Sequence, residues 1–407
     1  MIRWVLKQEA RGFPGVSGSF DESWRADACL APRDVCLCRV DMQIGTRELL
    51  RSWGKLLRGK TPLLSIEVTR DCPLRCPGCY AYGAGHVGGR ASLRATPDYR
   101  GDELVERLLA LIEQHDPLHV SLVGGEPLLR HRELSRVLPV LNGRGIPTLV
   151  VTSGVLPIPP AWMELPRLIV VVSVDGLARD HDVRRHPATY ERILRNIERR
   201  RVYLHWTIVR AQAEQPGYLG EYLSFWNQRP EVDRILVSLY SPQQGEQTAE
   251  MLSVQQRTDV AEALHDLSHQ FPKLIAPKCA APAFISPPAD ACGCTFARIS
   301  RNYASDLATA VEPCILGGTP DCGQCGCAIS AVLHGIAGVR LAGPLRVGHL
   351  IRASTSVASV VTRLRRAPDP ARIVSAHEPG RHSASLRLAR HTYLPADDDQ
   401  RLPATRP

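Results

Sequence analysis

Six apolar runs recur between residues 62 and 240, separated by stretches of helical length, and this rhythm constrains the fold more than any other feature of the chain. The runs are LLSIEVT (63–69), LHVSLVG (118–124), IPTLVVTS (146–153), LIVVVSVD (168–175), VYLHWTIVR (202–210) and DRILVSLY (233–240). Strands this continuous in Val, Ile and Leu are buried on both faces, which is the habit of parallel sheets covered by helices. Helical patterns fall near 101–115, 131–142, 159–165, 189–201, 217–228 and 254–270. Strand–helix alternation with right-handed crossovers predicts an α/β fold, a partial (β/α)6 barrel of TIM type, followed by a Cys-rich C-terminal extension. Barrel sites lie at the carboxyl ends of the strands, so the loops after each run are where chemistry is expected.

The rest of the chain divides around this core. Residues 1–41 show no sustained period and read as an unstructured extension carrying Cys29, Cys36 and Cys38; residues 42–61 place Leu49, Leu50, Trp53, Leu56 and Leu57 on one face of a basic amphipathic helix. Such a helix packs on its own domain or lies on a membrane surface. The barrel is expected over 62–270, a Cys-rich region over 271–340, and a basic, largely disordered tail with one possible helix over 341–407. Of the fifty basic residues only five are lysine, and the tail carries eleven Arg against five acids, so most of the formal charge of +9 sits there. The nearly neutral remainder offers no nucleic-acid footprint. No apolar run approaches the ~18 residues of a membrane span, and no signal peptide is visible, which predicts a cytoplasmic protein. Thirteen cysteines in a reducing compartment point to metal or catalytic thiols instead of disulfides.

The loop after the first run reads CPLRCPGCY and brings Cys72, Cys76 and Cys79 together, with Pro73, Pro77 and Gly78 keeping the backbone irregular. Three ligands leave one coordination position open, where a closed structural zinc site uses four. This pattern, ending in an aromatic after the first strand of a βα barrel, resembles the cluster loop of radical S-adenosylmethionine (SAM) enzymes. The resemblance implies that Cys72, Cys76 and Cys79 hold a 4Fe-4S cluster, that SAM chelates its fourth iron, and that Tyr80 lies near the adenine. The second run ends in GGEP, either a turn opening a helix or, by the same resemblance, a contact for the methionine amine through Gly124, Gly125 and Glu126. The third run ends Thr152, Ser153, Gly154. The fourth ends in SVDG and is followed by HDVRR. The family likeness gives Ser173 a contact to ribose or carboxylate and Arg185 a contact to carboxylate; a surface salt bridge is the alternative for Arg185. Asp175 binds ribose or caps the following helix.

Seven cysteines crowd residues 279–327. The string PCILGGTPDCGQCGC resembles the auxiliary-cluster regions of SPASM or twitch type, and the C-terminal segment of hopanoid-pathway adenosyl radical proteins, without copying their spacing. One further iron–sulfur cluster is expected on Cys314, Cys322, Cys325 and Cys327, with Cys292 or Cys294 as a substitute ligand; a zinc knuckle is the alternative. The implied activity is reductive cleavage of SAM to a 5'-deoxyadenosyl radical. That radical acts on an unidentified substrate, by peptide modification or by small-molecule or lipid adenosylation, with flavodoxin or ferredoxin as electron donor. The competing class is a non-catalytic, metal-stabilised scaffold or a regulatory nucleic-acid binder using the Arg-rich tail.

Overall fold

The six Val- and Ile-rich runs all become strands, because each alternates side chains between a helix-covered exterior and a central lumen. The structure is a computed structural model that describes residues 53–58, 60–187, 189–275 and 280–365. The expectations for residues 1–41, for Cys29, Cys36, Cys38 and Cys279, and for the tail beyond Arg365 lie outside the described residues. The strands are β1 (Leu63–Glu67), β2 (His119–Val123), β3 (Thr148–Thr152), β4 (Leu168–Ser173), β5 (Val202–Ile208) and β6 (Val232–Leu239), joined by β7 (Leu274–Ile275) and β8 (Ser300–Tyr303). They form one sheet in the order β7-β6-β5-β4-β3-β2-β1-β8, every pair parallel.

Eight strands thus stand where six were expected. The two extra strands are two and four residues long and sit at the two edges, too short to show a pattern in sequence. Among the described residues the edges do not pair with each other, so the sheet is a partial barrel and not a closed one.

Helices α1 (Gly101–His115), α2 (His131–Gly143), α3 (Ala178–Arg184), α4 (Tyr190–Ile197), α5 (Arg210–Ala213), α6 (Tyr218–Asn227) and α7 (Val254–Gln270) follow the strands. The stretch at 159–165 is only a 3-10 turn, Pro160–Glu164, since Pro166 cannot continue a helix and biases Leu165 before it to extended backbone. The outer core joins strand positions such as Leu64, Ile66, Val120 and Val150 to Leu104, Leu108, Leu134 and Leu138 of the helices, all buried. Trp206, Tyr222 and Trp226 add an aromatic block under β5, with Trp206 stacked on Tyr222 at 3.9 Å.

After the sheet come α8 (Ala281–Ile285), α9 (Thr295–Ile299), α10 (Ala328–Gly338), the hairpin of β9 (Arg340–Ala342) and β10 (Leu345–Arg346), and α11 (Val347–Arg365). Helix α10 packs on β6, α8 and α9. Among the described residues no helix is long and apolar enough to cross a membrane.

Candidate active site

Alternation along β1 sends Leu64 and Ile66 toward the helices and Ser65 and Glu67 inward, and the chain then leaves the sheet as the irregular thiol loop. This loop is fastened from behind by the segment after β2. Gly125 N donates to Thr69 O and Glu126 N to Asp71 O, each at 2.8 Å. A side chain at Gly125 would have its Cβ 2.1 Å from Asp71 O and 2.7 Å from Tyr82 Oη, so only glycine permits the approach. Asp71 and Asp98 share Arg130, at 2.9 and 2.5 Å, which fixes the loop's stem.

Cys72, Cys76 and Cys79 are free, partly buried, and all line the lumen together with Tyr80, Gly124, Gly125 and Ser173. Burial pushes the Cys72 thiol up to about 11, and Glu126, Cys76 and Cys79 push the same way. Burial also raises Cys76, against the pull of Arg185. Three thiols on one short loop, with the Cys72 and Cys76 thiolates costly, are a set that a cationic metal centre would deprotonate, so they fit the cluster that the loop pattern implies.

The carboxylates behave differently from the sequence reading. Glu126 is completely buried, and its two oxygens accept from Leu128 N, Thr152 Oγ1, Ser153 N and Ser153 Oγ. It thus knots the ends of β2 and β3 together, and GGEP is both a turn and a brace. Asp175 does not cap α3. It accepts from Thr207 N at 3.0 Å, from Arg184 at 2.5 Å and from Arg185 Nε at 2.8 Å, and Arg184 reaches on to Glu250 at 2.9 Å. Burial alone would raise the Asp175 carboxyl, but the two guanidinium groups hold it well below the usual carboxylate range. Arg185 is therefore in a buried ion pair and not at the surface, and its charge reaches Cys76.

Two groups escaped the sequence reading. Glu67 lies 2.6 Å from His86 Nε2, while His86 Nδ1 donates to Leu316 O at 3.0 Å, so a buried carboxyl–imidazole pair ties β1 to the Cys-rich extension. Burial pushes the Glu67 carboxyl up, and His86 pulls it back. Gly317 is obligatory at this contact, since its Cβ would fall 2.2 Å from His86 O. A polar residue on the lumen face of β1 was the available signal for Glu67; nothing marked His86.

In the extension a second cavity is ringed by Cys294, Cys314, Cys322, Cys325 and Cys327. The exposed Cys292 is not among them. Cys314 is pushed up to about 12 and Cys322 to about 11, by burial and then by neighbouring thiols that include Cys294 and Cys325. Cys327 caps α10 and lines both this cavity and the lumen. Among the described residues no three His, Cys, Asp or Glu side chains converge on the position of a single ion, so the thiols surround a space. Beside them Arg257, 3% exposed, donates to Phe284 O, Gln324 O and Cys325 O at 2.9, 2.9 and 2.6 Å. It sits one turn into α7, behind a capping box in which Ser253 and Gln256 satisfy each other's backbone N–H groups. No carboxylate is among these three partners, so a positive charge is buried next to the thiol ring.

Comparison with known proteins places this architecture. Residues 66–207 match the family model of the radical SAM superfamily. That stretch of the chain, which includes the thiol loop and the ends of β2, β3 and β4, is thus similar to a radical SAM domain. A 105-residue segment is 35% identical to 7-carboxy-7-deazaguanine synthase of Hyperthermus butylicus, covering 25% of this chain and 39% of that protein. The chain thus spans about two fifths of the length of the curated relative it matches. Among solved structures, Streptococcus suis SuiB bound to S-adenosylmethionine aligns with a TM-score of 0.50 at 16% identity, over 66% of this chain and 64% of that one. Native anSMEcpe with bound AdoMet aligns with a TM-score of 0.41 at 19% identity, over 51% and 61%.

Proposed function

We propose that this chain holds a 4Fe-4S cluster on Cys72, Cys76 and Cys79, binds SAM beside it at the lumen mouth, and uses the pair for radical chemistry on a substrate inside the partial barrel. The observation that carries the reading is the placement of three free thiols, the Gly124–Gly125 backbone and the Asp175-paired Arg184 and Arg185 at one end of a single lumen. When bound, cluster and SAM supply one-electron cleavage of the sulfonium and a carbon radical able to abstract hydrogen. The protein's own residues position and shield. Tyr80 and Ser173 are the contacts for adenine and ribose, and Gly124 and Gly125 let the backbone approach the methionine end. Glu126 holds that backbone in place from below. Arg185, steadied by Asp175, presents a fixed positive charge to an anionic group at the mouth.

The second thiol ring is proposed to hold another iron–sulfur cluster on Cys294, Cys314, Cys322 and Cys325, in place of the expected set ending in Cys327. A ring around a space suits a cluster better than a zinc ion, and Arg257 supplies the counter-charge that an anionic cluster of thiolates requires. Flavodoxin or ferredoxin in a reducing cytoplasm is the proposed electron source.

The test is release of 5'-deoxyadenosine from anaerobically reconstituted protein given dithionite and SAM. Release that disappears in Cys76→Ala supports the assignment. No release from iron-loaded wild type would favour the scaffold.

A further inference from the structure

The lumen spans the height of the sheet. Its cavity of about 1350 Å³ runs from Cys72, Cys76 and Cys79 at the carboxyl ends of the strands to Pro62, Leu118 and Pro147 at their amino ends. Near the mouth, the charged side chains that reach it are matched: Arg184 and Arg185 by Asp175 and Glu250. His205, midway along β5, and His119, at the start of β2, are kept neutral, burial having pushed both to about 4. Facing them, α10 contributes Val332, Leu333 and Ile336. A charged substrate would forfeit hydration here without a new partner, whereas an apolar chain forfeits nothing.

The amino end of the lumen is walled by Trp53, Val347 and Ile351, beside Arg167 and the Arg201–Asp233 pair. The surrounding elements are tied together, with Trp53 Nε1 donating to Ser354 Oγ at 2.9 Å and Val347 N to Val339 O at 3.0 Å. Between α10 and α11, which supply part of this wall, the β9–β10 hairpin exposes apolar side chains: Leu341 is 51% exposed, Leu345 39% and the preceding Val339 43%. Between Asp321 and Asp369 the sequence has no acidic residue, while Arg340, Arg346 and Arg352 are exposed on the same segment. Exposed apolar tips set among arginines, on a stretch of sequence without acids, are matched to the interface of an anionic bilayer.

We propose that this end of the barrel docks on an anionic bilayer, with Leu341 and Leu345 entering the acyl region, and that the substrate is a lipid drawn from the bilayer along the lumen to the thiol loop. The inference rests on reading the lumen as the substrate chamber, and its test is independent of the radical reaction. Full-length reconstituted protein is sedimented with vesicles of phosphatidylcholine alone or mixed equally with phosphatidylglycerol. Binding to the mixed vesicles that weakens with added salt is expected, and Leu341→Asp combined with Leu345→Asp should lower it at least tenfold with solution release of 5'-deoxyadenosine unchanged. Arg346→Gln with Arg352→Gln, a milder change, should remove the preference for the anionic vesicles. Equal binding by wild type and the aspartate variant overturns the proposal. So does absence of vesicle binding, whether the patch is then covered by a second copy, shown by a dimer that the aspartates dissociate, or by the chain's own residues 366–407, shown by binding only after their removal. Vesicle binding without deoxyadenosine release would strike the radical reading alone.

Discussion

Cys72, Cys76 and Cys79 stand on an irregular loop that opens into the lumen, braced from behind by backbone hydrogen bonds to Gly125 and Glu126. Cys294, Cys314, Cys322, Cys325 and Cys327 instead ring a small cavity walled by proline and aromatic side chains, with one buried cation at their back. The first set is short of a ligand and faces a chamber; the second has thiols to spare and faces inward. Open coordination suits a site that must receive a small molecule, and closed coordination suits one that passes electrons or holds structure.

Replacing a thiol at each place should break the comparison most sharply. Cys76→Ala should abolish deoxyadenosine release and remove the mouth's iron while leaving the extension's metal, read by metal analysis of anaerobic protein; Cys314→Ala should do the reverse to the metal. Loss of all metal in either variant would mean the two sites are not separate. Next in size, Asp175→Asn leaves Arg185 buried without its carboxylate. It should destabilise the protein by about 3–5 kcal/mol in urea unfolding.

Arg257→Met removes the donors to three carbonyls around the second ring and should cost about 2–4 kcal/mol. It should lower metal retention there and not at the mouth, and equal loss at both sites would remove its special relation to the ring. A smaller effect concerns acid. His181 is fully buried beside the mouth, accepting from Asp175 N and bonded to Thr189, and burial has lowered its pKa to about 4. The unfolded chain binds a proton below about 6.5 that the folded protein refuses. The contribution of His181 is therefore complete above about 6.5 and declines as pH falls toward 4. His181→Gln should flatten that part of the stability–pH curve. Smallest of all, Cys292→Ser should leave metal content and stability within about 0.5 kcal/mol of wild type, as for most exposed positions.

The barrel was legible because long Val-, Ile- and Leu-rich runs leave no other home than a parallel sheet, and the thiol loop because its three cysteines fall at a strand's carboxyl end. What could not be read has a common physical origin. Glu126 and Asp175 look like ligand-binding carboxylates in sequence, yet partners such as Ser153 and Thr207 come from other strand ends brought near only by the sheet. Arg257 and His86 act on segments far along the chain, through backbone carbonyls that carry no sequence signature. Cys292 and Cys294 are alike in sequence, and only the placement of α9 separates them, turning Cys294 toward Ser330.

The pairing of β1 with β8 joins residues 63–66 to residues 300–303. On a ribosome adding roughly 5–20 residues each second, β1 and its thiol loop emerge about 12–50 s before that neighbour exists. During this interval one flank of the loop is bare, and the contact of His86 with Leu316 cannot form. On the proposed reading, cluster delivery to Cys72, Cys76 and Cys79 is therefore least obstructed while the chain is still being made, and the segment that carries the second thiol ring closes the door when it arrives.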